Sequence, residues 1–109
     1  MIPISTPNIG ALEAEKLAEC VTTKMVSTTG PFVNEFEAYL TKISGAAGAV
    51  STSSGTSAIH AALHNVNVMH GELVIIPSLT FIATANAVAA TGAEPWLFDS
   101  NSRDWTLNI

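Results

Sequence analysis

The stretch that decides the fold is Ala49-Val50-Ser51-Thr52-Ser53-Ser54-Gly55-Thr56-Ser57, in which Ala49-Val50, predicted as a short apolar strand, enters a hydroxyl-rich turn before an alanine-rich helix. The same order, a strand followed by a helix, is predicted again downstream. Leu73-Val74-Ile75-Ile76 is predicted as a buried strand closed by Pro77, residues 81–91 as a helix, and Trp96-Leu97-Phe98 as a third strand. Apolar strands that alternate with helices indicate a β-α-β-α-β arrangement and a mostly parallel sheet. Because only three strands are predicted, one sheet edge is expected to lie open.

Two amphipathic helices are predicted before this α/β region. In the first, apolar residues from Ala14 to Val21 follow the spacing i, i+3, i+4, i+7. The second begins at Pro31, which suits a first helical turn because its missing N–H would have no partner there, and ends at Ser44-Gly45. The chain is therefore expected to comprise residues 1–47, an arm with two helices, and residues 48–109, the incomplete start of an α/β domain.

The composition is unusually apolar for so short a chain. Of 109 residues, 48% are hydrophobic and 12% are charged, whereas an ordinary soluble domain carries roughly 25% charged residues. We therefore expect this chain to be part of something larger. No apolar run approaches the ~20 residues of a membrane-spanning helix. Residues 1–15 contain no Lys or Arg and no unbroken apolar core, so no signal peptide is predicted.

The charge balance narrows the choice of partners. The net charge is −5 with four basic side chains, which argues against nucleic acid and against anionic membrane surfaces. A phosphate bound here must be held mainly by backbone N–H groups and hydroxyls. The single cysteine, Cys20, cannot form an internal disulfide, which fits a reducing, cytoplasmic location; it is interpreted as a small apolar side chain.

The turn Ser53-Ser54-Gly55-Thr56-Ser57 is the strongest candidate binding feature. A helix start presents unpaired N–H groups and the positive end of the helix dipole, so it can bind an anion, with the Thr56 and Ser57 hydroxyls as further donors. Neither the G-x-G-x-x-G nor the G-K-[ST] phosphate motif is present. The alternative is a capped helix whose serines satisfy its own backbone. The residues alone leave both interpretations open.

A second candidate feature follows the predicted strand that Pro77 closes. Ligands of open α/β sheets lie beyond the carboxyl ends of the strands, so Phe81 is expected to reach the same crevice as Thr56. Its flat face suits stacking against an aromatic ring. The alternative is an ordinary core phenylalanine.

The other polar residues are weaker candidates for a functional site. His60 and His64 stand four apart on one helix face, but the H-E-x-x-H motif is missing, and no metal site is predicted. Asp99 ends a strand, and its neighbours up to Asp104 are interpreted as a turn. Trp96 is interpreted as a core or interface residue.

Several of these stretches together resemble the DegT/DnrJ/StrS family, fold type I enzymes that depend on pyridoxal phosphate (PLP) and mostly aminate nucleotide-linked keto-sugars. The similarity runs in the family's order along the whole chain, with some likeness to the legionaminic-type nonulosonic acid subgroup. The stretches are PISTPNIG (3–10), VSTTG (26–30), FVNEFE (32–37), SSGTSAIH (53–60), PSLTFIATANA (77–87) and GAEP (92–95). The resemblance implies that the chain is the N-terminal part of a PLP-dependent transferase large domain with two leading helices.

The resemblance also implies residue roles. Gly55, Thr56 and Ser57 would hold the PLP phosphate, and Phe81 would lie against the pyridine ring. The loop 26–30, with Ser27, Thr28 and Gly30 as its site residues, would border the sugar-nucleotide entrance. The implied amino donor is glutamate, the implied acceptor is a nucleotide-linked keto-sugar, and the implied assembly is a homodimer with shared active sites.

Departures from the family pattern limit this assignment. Lys24-Met25 stands where the family usually has Gly-Trp. The lysine that binds PLP covalently and the aspartate at the pyridine nitrogen have no match here, since Lys16, Lys24 and Lys42 fit no such motif. We therefore expect no catalytic residue in the chain, and an isolated chain that is inactive as an aminotransferase. Two alternatives remain, a PLP-dependent sugar dehydratase with His in place of the lysine, and a non-catalytic binding or regulatory module.

Overall fold

The computed structural model describes residues 5–108, so Pro3 and Ile4 of the predicted arm lie outside the described residues. The chain divides into two compact units. Residues 1–50 form the helical unit, and residues 51–109 form the α/β unit. The elements in chain order are α1 (Ala11–Thr23), α2 (Pro31–Ser44), α3 (Gly55–Asn65), β1 (Leu73–Pro77), α4 (Ile82–Ala90) and β2 (Glu94–Phe98).

Local residues set the ends of the two helices in the helical unit. The carboxylate of Glu13 accepts a 2.7 Å hydrogen bond from the backbone N–H of Gly10, ahead of the first turn of α1. α2 has Pro31 at its first position and ends at Gly45, which adopts a left-handed φ of 69°. The predicted limits of the second helix are thus confirmed.

The α/β unit is built on two parallel strands. β1 and β2 pair in register from Leu73 opposite Glu94 to Pro77 opposite Phe98. The connecting helix α4 packs on both strands, and α3 packs on α4. This is a β-α-β crossover with an additional helix, and it confirms the predicted parallel α/β class.

A small core holds the α/β unit together. Its buried side chains are Ile76 on β1, Ala87 and Val88 on α4, and Ala93 just before β2. Half-buried side chains surround this core, among them Leu63 of α3. In contrast, no side chain of α1, α2 or α3 is fully buried. The core therefore lies where α4 covers the parallel strands.

The predicted first strand, Ala49–Val50, is wrong. Both residues lack regular structure, and the Val50 side chain is 84% exposed. A strand is stable only where a neighbour satisfies its backbone N–H and C=O groups, and in the described part of the chain β1 and β2 pair with each other alone. An apolar pair of residues cannot form a strand without such a neighbour.

The segment after β2 is a turn, as predicted from Asp99 to Asp104. The backbone of Asn101 pairs with Thr106 at 2.8 Å, and a single antiparallel bridge links Ser100 to Leu107. Trp96 is not a core residue, because half of its surface is exposed although its ring meets that of Phe98 edge-on at 4.8 Å. Among residues 5–108, every helix is too short or too polar to cross a membrane.

Candidate functional site

Ser54 fixes the start of α3. Its backbone is extended, with φ −161° and ψ 160°, and its hydroxyl accepts a 3.2 Å hydrogen bond from the N–H of Ser57. The Ser54 carbonyl accepts from the N–H of Ala58 at 3.0 Å and from the Thr52 hydroxyl at 2.9 Å. These bonds define a capped helix start, so this part of the turn serves the fold.

Two donors of the turn remain for a ligand. The N–H groups of Gly55 and Thr56 have no acceptor among residues 5–108, as expected of the first positions of a helix. The hydroxyls of Ser54 and Ser57 lie 3.1 Å apart, so if Ser54 donates in this pair the Ser57 O–H is free to point outward. The two interpretations of the sequence, a capped helix and an anion site, therefore apply to different residues of the turn. Ser54 caps the helix, while Gly55 and Thr56 present unpaired donors.

The surroundings of Gly55 fit a phosphate group. Gly55 is helical and does not have a positive φ, and a β-carbon built there would meet no atom within 4 Å. The fold itself therefore does not require glycine, and there is open space beside this residue. The α/β unit contains no lysine and one arginine, Arg103. A phosphate at this turn would be held by neutral donors and the helix dipole, an arrangement known for phosphate sites.

Phe81 presents its ring to the outside. It precedes the first residue of α4, with an extended backbone (φ −62°, ψ 142°), and its side chain is 84% exposed. The alternative of a core phenylalanine is therefore wrong. Phe81 and the turn at Gly55 lie in the same unit, at the N-termini of two helices that pack against each other.

Two further hydrogen bonds hold the loop before Phe81. The N–H of Ser78 donates to the carbonyl of Phe98 at 2.7 Å, and the hydroxyls of Thr80 and Thr84 lie 2.9 Å apart. Thr84 is not among the candidate residues that the sequence patterns predicted. The signal that could have found it is the i, i+4 spacing of two threonines across a helix start.

The predicted sugar-side residues belong to the helical unit. The hydroxyls of Ser27 and Thr29 lie 3.2 Å apart, and Gly30 has a φ of 149°, which favours glycine. Lys24, at the position where the resemblance implies a glycine, has a left-handed φ of 60° at the end of α1. This is a backbone conformation that favours glycine.

The basic side chains and the possible metal ligands form no second site in the described part of the chain. Lys16 pairs with Glu19 at 3.1 Å, and its ammonium lies 4.9 Å from the centre of the Phe32 ring. The Glu19 carboxylate raises the pKa of Lys16, which keeps this amine protonated and a poor nucleophile. In the described part of the chain, no three His, Cys, Asp or Glu side chains come together as a metal site would need.

Comparison with known proteins places these features in a family. The model of the DegT/DnrJ/EryC1/StrS aminotransferase family matches residues 7–109. GDP-perosamine synthase from Caulobacter vibrioides is 36% identical over 107 residues, which are 98% of this chain and 29% of that protein.

Solved structures give the same result. DesV from S. venezuelae superposes with a TM-score of 0.75 at 33% identity, over 89% of this chain and 27% of its own. NtdA from Bacillus subtilis, solved with bound cofactor PMP, gives 0.73 at 34% identity, over 85% and 22%. The chain thus spans less than a third of the length of these relatives. It belongs to the DegT/DnrJ/EryC1/StrS aminotransferase family.

Proposed function

We propose that the turn at Gly55, Thr56 and Ser57 holds the phosphate of PLP in a sugar aminotransferase that transfers an amino group from glutamate to a nucleotide-linked keto-sugar. The observation that carries this proposal is the pair of unpaired N–H groups at the start of α3, beside an open space at Gly55. The family and the PMP-bound relative support the choice of PLP over other phosphates.

The residues of the turn have separate tasks in this proposal. The amides of Gly55 and Thr56 donate to phosphate oxygens, and the Ser57 hydroxyl adds a third donor. Ser54 keeps these donors in place by capping α3. The Phe81 ring lies against the flat face of the pyridine and excludes water from it. When bound, PLP supplies the electron sink that amino-group transfer requires.

The remaining roles are proposed on the same basis. Ser27, Thr28 and Gly30 border the sugar-nucleotide entrance, and the working enzyme is a cytoplasmic homodimer. A dehydratase of the same family would use the same phosphate site, because the two activities differ at the lysine position, which none of these 109 residues matches. A non-catalytic module would likewise keep this site.

We propose further that the 109-residue chain does not aminate sugars by itself. The α/β unit, which carries the phosphate site, contains no lysine, and Lys16 is engaged by Glu19. Measurable turnover of the purified chain with glutamate, PLP and a nucleotide-linked 4-keto sugar would contradict this.

The phosphate site is tested by removing one donor without breaking α3. Gly55→Pro deletes the N–H at the first helical position, where proline is tolerated, and the extended backbone of Ser54 accepts a following proline. Ala11→Pro makes the same change at the first position of α1 and is the matched control. Gly55→Ala keeps the N–H and adds only a methyl group.

The measurement is a titration with pyridoxamine phosphate followed by amide NMR shifts, because this ligand has no aldehyde to react with surface lysines. We expect Gly55→Pro to weaken binding by at least about tenfold, since hydrogen bonds to charged groups are strong. Ala11→Pro should bind like wild type, and Gly55→Ala should weaken binding less than Gly55→Pro. Equal affinity of Gly55→Pro and wild type would contradict the proposed site.

A further inference from the structure

The Phe81 ring has little of its own to hold it. The side chain is 84% exposed, and in the described residues its ring contacts no other aromatic ring. Its direction must therefore be set by the backbone of the loop Ser78–Phe81. A ligand that stacks on this ring benefits only if that loop is held in one conformation before binding.

Thr84 of α4 makes two hydrogen bonds to the loop that carries Phe81. The N–H of Thr84 donates to the Phe81 carbonyl at 3.0 Å, and the Thr84 hydroxyl lies 2.9 Å from that of Thr80. Thr84 thus contacts the residue before Phe81 and Phe81 itself. The other end of the loop is fixed by the 2.7 Å bond from Ser78 to Phe98.

Thr84 lies on the face of α4 that carries the core. It is half-buried, and Ala87 and Val88, three and four residues later on the same face of α4, are fully buried. As a β-branched residue in a helix it has few rotamers. Thr84 therefore connects the helix that carries the core with Thr80 and Phe81.

We propose that Thr84 is a positioning residue for the bound pyridine ring, acting through Thr80 on Phe81. This inference rests on the proposed PLP site and adds a residue to it that does not touch the ligand. It separates two kinds of binding, because a flat aromatic ligand uses Phe81 whereas a bare phosphate ion uses only the turn at Gly55.

The test compares Thr84→Val, which keeps the shape and removes the hydroxyl, with Thr84→Ser, which keeps the hydroxyl. Each is titrated with pyridoxamine phosphate and with inorganic phosphate, alone and combined with Phe81→Leu, and thermal unfolding confirms that each variant is folded. We expect Thr84→Val to weaken pyridoxamine phosphate binding about threefold to tenfold, the size of one hydrogen bond. Inorganic phosphate binding should change less than about twofold, and Thr84→Ser should behave as wild type.

The double variant provides the decisive readout. If Thr84 acts through Phe81, Thr84→Val adds less than about twofold once Phe81 is leucine. An equal loss in both backgrounds, an equal loss of inorganic phosphate, or no effect of Thr84→Val on a wild type that binds would overturn the inference. Failure of the wild-type chain to bind pyridoxamine phosphate at α3 would instead contradict the proposed function, and the inference with it.

Discussion

The two units of this chain bury their apolar side chains to different extents. In the helical unit, α1 and α2 leave every helical side chain at least partly exposed, including Leu17 at 67% and Val21 at 69%. In the α/β unit, α4 packs on the strands, and Val88 is 1% exposed. Among the described residues, the α/β unit thus has a buried core, whereas the helical unit has no buried side chain.

This difference bears on where a ligand site can be built. A binding group must be held in place by rigid neighbours, and a core supplies that support. The turn at Gly55 begins a helix that packs on α4, and Phe81 precedes α4 itself. The loop with Ser27 and Gly30 lies in the helical unit, whose described residues, 5–50, include no buried side chain. We therefore expect the proposed phosphate-binding turn to be ordered more firmly than the loop with Ser27 and Gly30.

The largest effect is expected from placing a charge in the core. Val88→Asp buries an unpaired carboxylate and should destabilise the α/β unit by more than about 3 kcal/mol, enough to unfold it. Val21→Asp, the same change at an exposed helix position, should cost less than about 0.5 kcal/mol. Dispersion of amide NMR signals from each unit measures both. Similar behaviour of the two variants would remove the distinction between the units.

A smaller effect is expected at the start of α3. Ser54→Ala removes the hydroxyl that accepts from the Ser57 N–H and should cost about 1 kcal/mol of stability. Ser53→Ala changes an exposed neighbouring serine and serves as the control. Thermal unfolding followed by circular dichroism reports both. If the two variants unfold alike, Ser54 does not cap the helix in solution.

The smallest effect concerns pH in the helical unit. The hydrogen bond from the Gly10 N–H lowers the pKa of Glu13 below its ordinary value of 4.5. A lowered pKa in the folded state means that the contribution to stability is complete above pH 4.5 and is lost as the pH falls through the lowered value. NMR titration of the Glu13 carboxyl should give a midpoint below 4.5, and Glu13→Gln should remove this part of the pH dependence of α1 helicity. A Glu13 midpoint at or above 4.5 would show that the bond does not persist in solution.

Much of the fold was predictable because its signals are local. Apolar spacing and Pro31 marked α2, and the apolar run from Leu73 marked β1. The absence of a strand at Ala49–Val50 could not be predicted in the same way, because a strand depends on a neighbour that no local pattern reveals. The legionaminic-type subgroup stays a prediction.

The candidate site was predictable in its residues but not in their tasks. Sequence alone could not divide the turn between capping by Ser54 and free amides at Gly55 and Thr56, because this depends on hydrogen-bond geometry. Nor could it decide whether Phe81 is buried. The link between Thr80 and Thr84 depends on the exact start of α4, and helix boundaries are the part of a sequence prediction that is least certain.

The most direct test of the account is a map of amide NMR shifts when the wild-type chain is titrated with pyridoxamine phosphate. We predict that the largest shifts occur at Gly55, Thr56 and Ser57, with smaller ones at Phe81. The amide signals of the loop with Ser27 should not shift, because no sugar nucleotide is present. Shifts confined to the helical unit, or none at the start of α3 at saturating ligand, would contradict the claim that this turn is the phosphate site.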